Sequence, residues 1–330
     1  MRNKFYENES TVPLSNKILI AASILCVIAT IVVFIFFNKH QKSKNSNTLN
    51  NNEAATSSAA ESTETAQPTP GVVLDVIIPS EKTIGTRFNP PAGYTRVNLT
   101  GGSFGEYLRT FSLREHSTKP LSFDSQTKAL VSNSSLPAVS VLELDLINKS
   151  NLQESSNSLI RLYAEYLYGQ SRFYDISFNL LTTPAFKCDF QTWSEGGRLI
   201  EEGNSITWCK EHGEHCKHRD VDTGTEYGVF KYYLQNVMIH SNLSSLPSNL
   251  KTVQLNDLTV GDVIIYADSN IPDIIVDMAE DSNGNKICIL ARGGNPASEI
   301  YIVRNENNSD LNPWHEINKL LVGASFYRFK

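Results

Sequence analysis

The chain has 330 residues and a formal net charge of −6, with 40% hydrophobic and 19% charged residues. That length holds one large or two small domains. The acidic balance argues against nucleic acid as the partner, because phosphate backbones are held by basic faces.

After a short N-terminal tail, residues 1–17, comes "ILIAASILCVIATIVVFIFF", Ile18 to Phe37, which has no charged residue. At about 1.5 Å rise per residue this run spans a hydrocarbon core of about 30 Å. It exceeds the usual signal-peptide core of about 7–15 residues and ends in "NKHQKSK" without a small-residue cleavage site. The expectation is a retained single-pass membrane helix over residues 18–37. Lysine and arginine flank both ends, so charge alone does not orient it. Residues 38–70 follow as a polar tether, rich in Ser, Thr, Asn and Ala beyond position 44. Such a composition buries too little apolar surface to offset chain entropy, so it reads as disordered. Tail, span, tether and large domain make the layout of a surface protein, with residues 71–330 outside the cytoplasm.

Residues 71–330 carry a net charge of −7 and read as one domain, with no internal repeat and no second linker. "AVSVLELDLI", Ala138 to Ile147, alternates as a strand does. In the next segment Leu152, Leu159, Leu162, Tyr163, Tyr166 and Leu167 recur at helical spacing, and Ser150 with Gln153 forms a candidate capping box. "DISFNLL" predicts a short strand and "GVFKYYLQNVMIH" a second helix. The C-terminal third reads as strands, "TVGDVIIYA", "DIIVDMAE", "NKICILARGG" and "EIYIVRN", divided by turn signals at Asn283-Gly284 and Gly293-Gly294. The fold class expected is α+β, helices packed on an antiparallel sheet.

"WCKEHGEHCKH", residues 208 to 218, concentrates Cys209, His212, His215, Cys216 and His218. Two readings stand beside that of free, solvent-facing side chains. Cys209 and Cys216 bracket six residues, a span that a disulfide closes in an oxidising exterior. The five side chains also suffice for a tetrahedral zinc site, although the spacing matches no standard zinc motif. Elsewhere Cys288 reads as a small buried hydrophobe, Cys188 as a thiol able to pair, and His240 and His315 as structural. Trp193, Glu195 and Arg198 are either an ordinary helix-to-loop junction or part of a groove.

The collinear set "PPAGYTRV", "GSFGEYLRTFSL", "RLYAEYLY", "TWSEGGR", "VGDVIIYA", "IIVDMAED", "ILARGGNPASEIYIVRN" and "NPWHEI" resembles the bacterial domain of unknown function 4846 family, from about Pro90 to the C-terminus. The resemblance implies a secreted or membrane-tethered protein. Its pattern is in turn similar to papain-like cell-wall peptidases and amidases. There a cysteine stands at a helix start, where the helix dipole favours the thiolate, and a histidine opening a strand takes its proton. This chain departs at both places. "ESSN" replaces the family's "QCAD" and puts Ser155 at the cysteine position. "NIPDII" replaces its Gly-His, leaving no histidine between Tyr266 and Asp277 and Asp273 near the base position. The plain reading makes Ser155 a helix-surface serine and Asp273 a turn residue.

The function expected is a membrane-anchored, extracytoplasmic binding or scaffolding domain of the cell envelope, a non-catalytic relative of papain-like hydrolases with peptidoglycan as a candidate partner. One alternative is an active peptidase or amidase using other residues. A second is a zinc- or redox-responsive surface domain built on the 208–218 loop.

Overall fold

The computed structural model describes residues 75–209, 222–320 and 323–330. The expected span at 18–37, the tether and most of the Cys/His loop lie outside the described residues. Among those described, no helix is long and apolar enough to cross a membrane.

In chain order the first half holds α1 (Ile84–Arg87), β1 (Tyr94–Arg96), α2 (Phe104–Arg109), β2 (Leu121–Asp124), β3 (Ala129–Ser132) and β4 (Ala138–Val141). Then come α3 (Ser156–Gly169), β5 (Ser177–Leu180), β6 (Phe186–Asp189), α4 (Phe190–Ser194), β7 (Arg198–Glu202), β8 (Ser205–Cys209) and α5 (Tyr227–Ile239). The rest is β9 (Leu250–Thr252), β10 (Val263–Tyr266), β11 (Asp273–Asp281), β12 (Lys286–Arg292), β13 (Tyr301–Val303), β14 (Trp314–Glu316) and β15 (Ala324–Phe329).

Nine strands form one antiparallel sheet in the order β4-β13-β12-β11-β10-β15-β9, with β1 added to β11 and β14 to β12. Three further hairpins, β2–β3, β5–β6 and β7–β8, stand off it. The architecture is α+β. The helices do not precede a separate meander, however: hairpins interrupt them, and β1 and β4 from the first half complete the C-terminal sheet.

The centre of the sheet is the β11–β12 hairpin. Asn283-Gly284 turns it, with Gly284 at φ +79°, a conformation a side chain resists. Ile274, Ile275, Val276, Ile287, Ile289 and Leu290 are all buried, so both faces of the hairpin are covered. That explains why its strands read as continuous apolar runs rather than alternating ones. A bulge between Ile275 and Asp277 inserts one residue and breaks the alternation. The carboxylates of Asp273 and Asp277 are thus brought to separate sets of partners.

Helix α3 is the core helix. Leu159, Ile160, Leu162, Ala164 and Leu167 are buried, and so are the polar Ser156, Asn157, Ser158 and Arg161 at its start. Two expectations need correction here. The helix begins at Ser156, not at Ser150, and the Ser150/Gln153 capping box does not form: Asn151–Gln153 is a separate 3-10 turn with no side-chain cap. The strand expected over Ala138 to Ile147 ends at Val141; Leu142 still donates its N–H to the Ile300 carbonyl and bridges Leu113, and the chain then turns away.

Candidate functional site

Ser155 is the residue before the first turn of α3, and its backbone is strained, at φ 43° and ψ −106°. A non-glycine residue holds such a conformation only where its surroundings over-determine it, at a cost of about 1–3 kcal/mol. Two contacts do so. The Ser155 N–H donates to the Gly294 carbonyl at 2.7 Å, and its hydroxyl donates to the Asn270 carbonyl at 2.5 Å. One residue therefore ties the start of α3 to both the β10–β11 and the β12–β13 connections. It is 5% exposed, so it is a buried anchor and not the helix-surface serine expected.

The close approach of α3 to the sheet depends on Gly293. A Cβ there would sit 1.9 Å from Ser158 Oγ and 2.8 Å from Ser158 Cβ. The Gly293-Gly294 pair, a turn signal in the sequence, thus also leaves room for a helix start. Gln153 is fully buried beside it, and neither atom of its amide meets a hydrogen-bond partner among the described residues. In the sequence Gln153 is legible only as half of a capping-box signal.

Asp273 opens β11 and is wholly buried, a strand residue rather than a turn residue. Arg292, across the ladder, holds it with Nε on Oδ1 at 2.6 Å and Nη2 on Oδ2 at 2.7 Å. The Tyr266 hydroxyl donates to the same Oδ2 at 2.9 Å. Burial disfavours the Arg292 charge, but the charge and hydrogen bonds of Asp273 outweigh it and hold the guanidinium above its ordinary range. Burial, then the adjacent carboxylate, pushes the Tyr266 phenol well up. Burial likewise pushes Tyr301, nearby, up to about 12. The trio is a closed ion pair with a phenol cap.

The chemistry this allows is limited. A serine attacks only when a base removes its proton. Here the Ser155 proton points at a backbone carbonyl, which is not a base, while both oxygens of Asp273 are engaged by Arg292 and Tyr266. His315 lies on β14, opposite Cys288, with Nε2 3.3 Å from the Val303 carbonyl. Burial lowers its pKa, so it is neutral at pH 7. Cys288 and Cys188 are buried free thiols, and burial raises both well above the ordinary thiol range. Cys188 was expected to be able to pair and does not.

The remaining sequence candidates fall elsewhere. Trp193 and Arg198 are buried, with the guanidinium 4.2 Å above the indole, which makes a junction rather than a groove wall. His240 Nε2 lies 3.3 Å from Glu201 Oε1. Cys209 ends β8 and is disulfide-bonded. His212, His215, Cys216 and His218 lie outside the described residues. No group of three metal-ligating side chains occurs among the described residues.

The sequence of the chain places it in a family. It belongs to the domain of unknown function 4846 family, whose model matches residues 84–330. No curated protein and no solved structure matches it.

Proposed function

We propose that this is a membrane-anchored protein whose domain lies outside the cytoplasm and binds or scaffolds at the cell envelope without hydrolysing it. The observation that carries the reading is the hydroxyl of Ser155 donating to the Asn270 carbonyl at 2.5 Å, with no base engaged. A strained residue at a helix start, tied to the connection that leads into the strand opened by Asp273, is the geometry that descent from a papain-like hydrolase would leave. In place of nucleophile and base stand a tethered serine and a sealed ion pair. The disulfide at Cys209 supports an oxidising, external setting. The apolar run at 18–37 supports the anchor.

The test incubates the full-length protein, in detergent, with purified peptidoglycan, and separates pellet from supernatant. Co-sedimentation with no new soluble fragment by mass spectrometry, unchanged in Ser155→Ala, is the expected result. Fragments that vanish in Ser155→Ala would establish a hydrolase instead.

A further inference from the structure

Three clefts in the domain adjoin one another through shared lining residues. The first, about 530 Å³, is lined by Tyr94, Asn256, Lys286 and Asn318 among others. The second, about 430 Å³, shares Lys286 with it and continues past Arg96, Glu280 and Thr259. The third, about 360 Å³, shares Asn98 and Thr259 with the second and ends at Phe104 and Tyr163. The segments from Tyr94 to Thr100 and from Leu255 to Asp262 line all three between them, and the first cleft is walled as well by residues 284–287 and 316–318. Strands β1 and β10 share one edge of β11, and the groove follows the interval between these two segments.

The arginine side chains along it are paired with carboxylates. Arg96 Nε donates to Asp277 and Arg328 to Asp262, both carboxylates fully buried. Arg172 is paired with Asp175, and Lys286 Nζ reaches the Asn256 carbonyl at 3.4 Å. Among the described lining residues Lys286 is the one cation outside an ion pair, and Glu280 stands opposite it across the β11–β12 ladder, which leaves little positive charge to meet an anionic polymer. What the groove presents is amides and hydroxyls, Asn98, Thr100, Asn256, Thr259 and Asn318, with aromatic rings at both ends. Each amide both donates and accepts, as sugar hydroxyls do, and tyrosine offers an apolar face with a polar tip. The wall from Leu255 begins as a 3-10 turn, which has no ladder of unpaired strand amides for an extended peptide.

We infer that this groove binds a linear, uncharged oligosaccharide, with Asn256 and Asn318 hydrogen-bonding its hydroxyls and Tyr94 under a ring. The inference deepens the envelope-binding reading and rests on it for where such a glycan comes from.

The full-length protein in detergent is titrated calorimetrically with two neutral probes, an unbranched β-linked glucose pentamer and its N-acetylglucosamine counterpart. Saturable binding of either is expected. Asn318→Ala, and Asn256→Trp placed to obstruct the groove, should each weaken it at least about tenfold while leaving the melting temperature unchanged. Absence of saturable binding, equal affinity in both variants, or displacement of the sugar by an unrelated peptide would overturn the assignment. The envelope-binding reading fails separately: peptidoglycan would then not sediment the wild-type protein, whatever the pentamers do. Sedimentation undiminished in both groove variants would retain envelope binding and overturn the groove.

Discussion

Arg292 holds both carboxylate oxygens of Asp273, at 2.6 and 2.7 Å, across the β11–β12 ladder. The carboxylate is wholly buried and the guanidinium mostly so. Removing one partner strands the other, which costs about 3–5 kcal/mol, whereas an apolar pair of similar volume is often tolerated. Arg292→Met should therefore destabilise the domain by about that amount. Asp273→Leu combined with Arg292→Met should cost less than the single change. Urea unfolding of the wild type and the two variants decides; a double variant that loses clearly more than Arg292→Met alone would overturn the prediction.

Ser155 offers two opposed effects at one position. Ser155→Ala loses the hydrogen bond to Asn270 and keeps the backbone strain, for a loss of about 0.5–1.5 kcal/mol. Ser155→Gly loses the same bond but relieves a φ of 43°. The glycine variant should unfold at higher denaturant than the alanine variant. The reverse order would mean that the strain is not borne by this residue.

Gly293→Ala should be among the most destabilising single-methyl additions in the domain. The new Cβ would meet Ser158 Oγ at 1.9 Å, and Ser158 is fully buried with its hydroxyl already donating to the Gln153 carbonyl. Overpacking of this kind costs about 1–3 kcal/mol. In the double variant Gly293→Ala with Ser158→Ala the loss should shrink, because the nearest clashing atom is gone. Thermal melts of the two proteins make the comparison.

His315 predicts the acid side of the stability profile. Burial depresses its folded pKa, so the unfolded chain takes up the proton first. Its contribution is intact above the unfolded value of about 6.5 and is lost as pH falls from there toward the lower folded value. Melting temperature should drop over that interval, and less steeply in His315→Gln. Parallel profiles for the two proteins would remove His315 from the explanation.

For the 208–218 loop, peptide mapping without reduction should recover Cys209 joined to Cys216, while Cys188 and Cys288 remain unmodified by thiol reagents in the folded protein. Cys209 is bonded and the latter two are buried with raised pKa values. Rapid alkylation of Cys209 in the native protein, or one equivalent of zinc retained on dialysis, would favour the metal reading of that loop instead.

Local signals carried the local structure. Asn283-Gly284 between apolar runs located the central hairpin, and the leucine and tyrosine spacing located α3. The start of α3 was misread because Ser150 and Gln153 make a good local capping signal, whereas the residue that fixes the start, Ser155, is held by Asn270, distant in the chain. The pairing of Asp273 with Arg292 was half legible: the turn at Gly284 sets the register, but the bulge after Ile275 shifts it by one residue, and no residue pattern announces that bulge. The groove was not legible at all. Residues 94–100 and 255–262 both line it, and only the sheet brings them together.

The pairing of Tyr94 with Asp281, and of β4 with β13, carries a temporal consequence. The early strands have no partner until the central hairpin has been made, so the sheet closes last between distant parts of the chain. Contacts of such sequence separation make folding slow, because loop closure must precede their reward. The sheet therefore closes only after the last third of the chain is in place, and a truncation before Asp281 should leave β1 without a partner and the domain open to proteolysis.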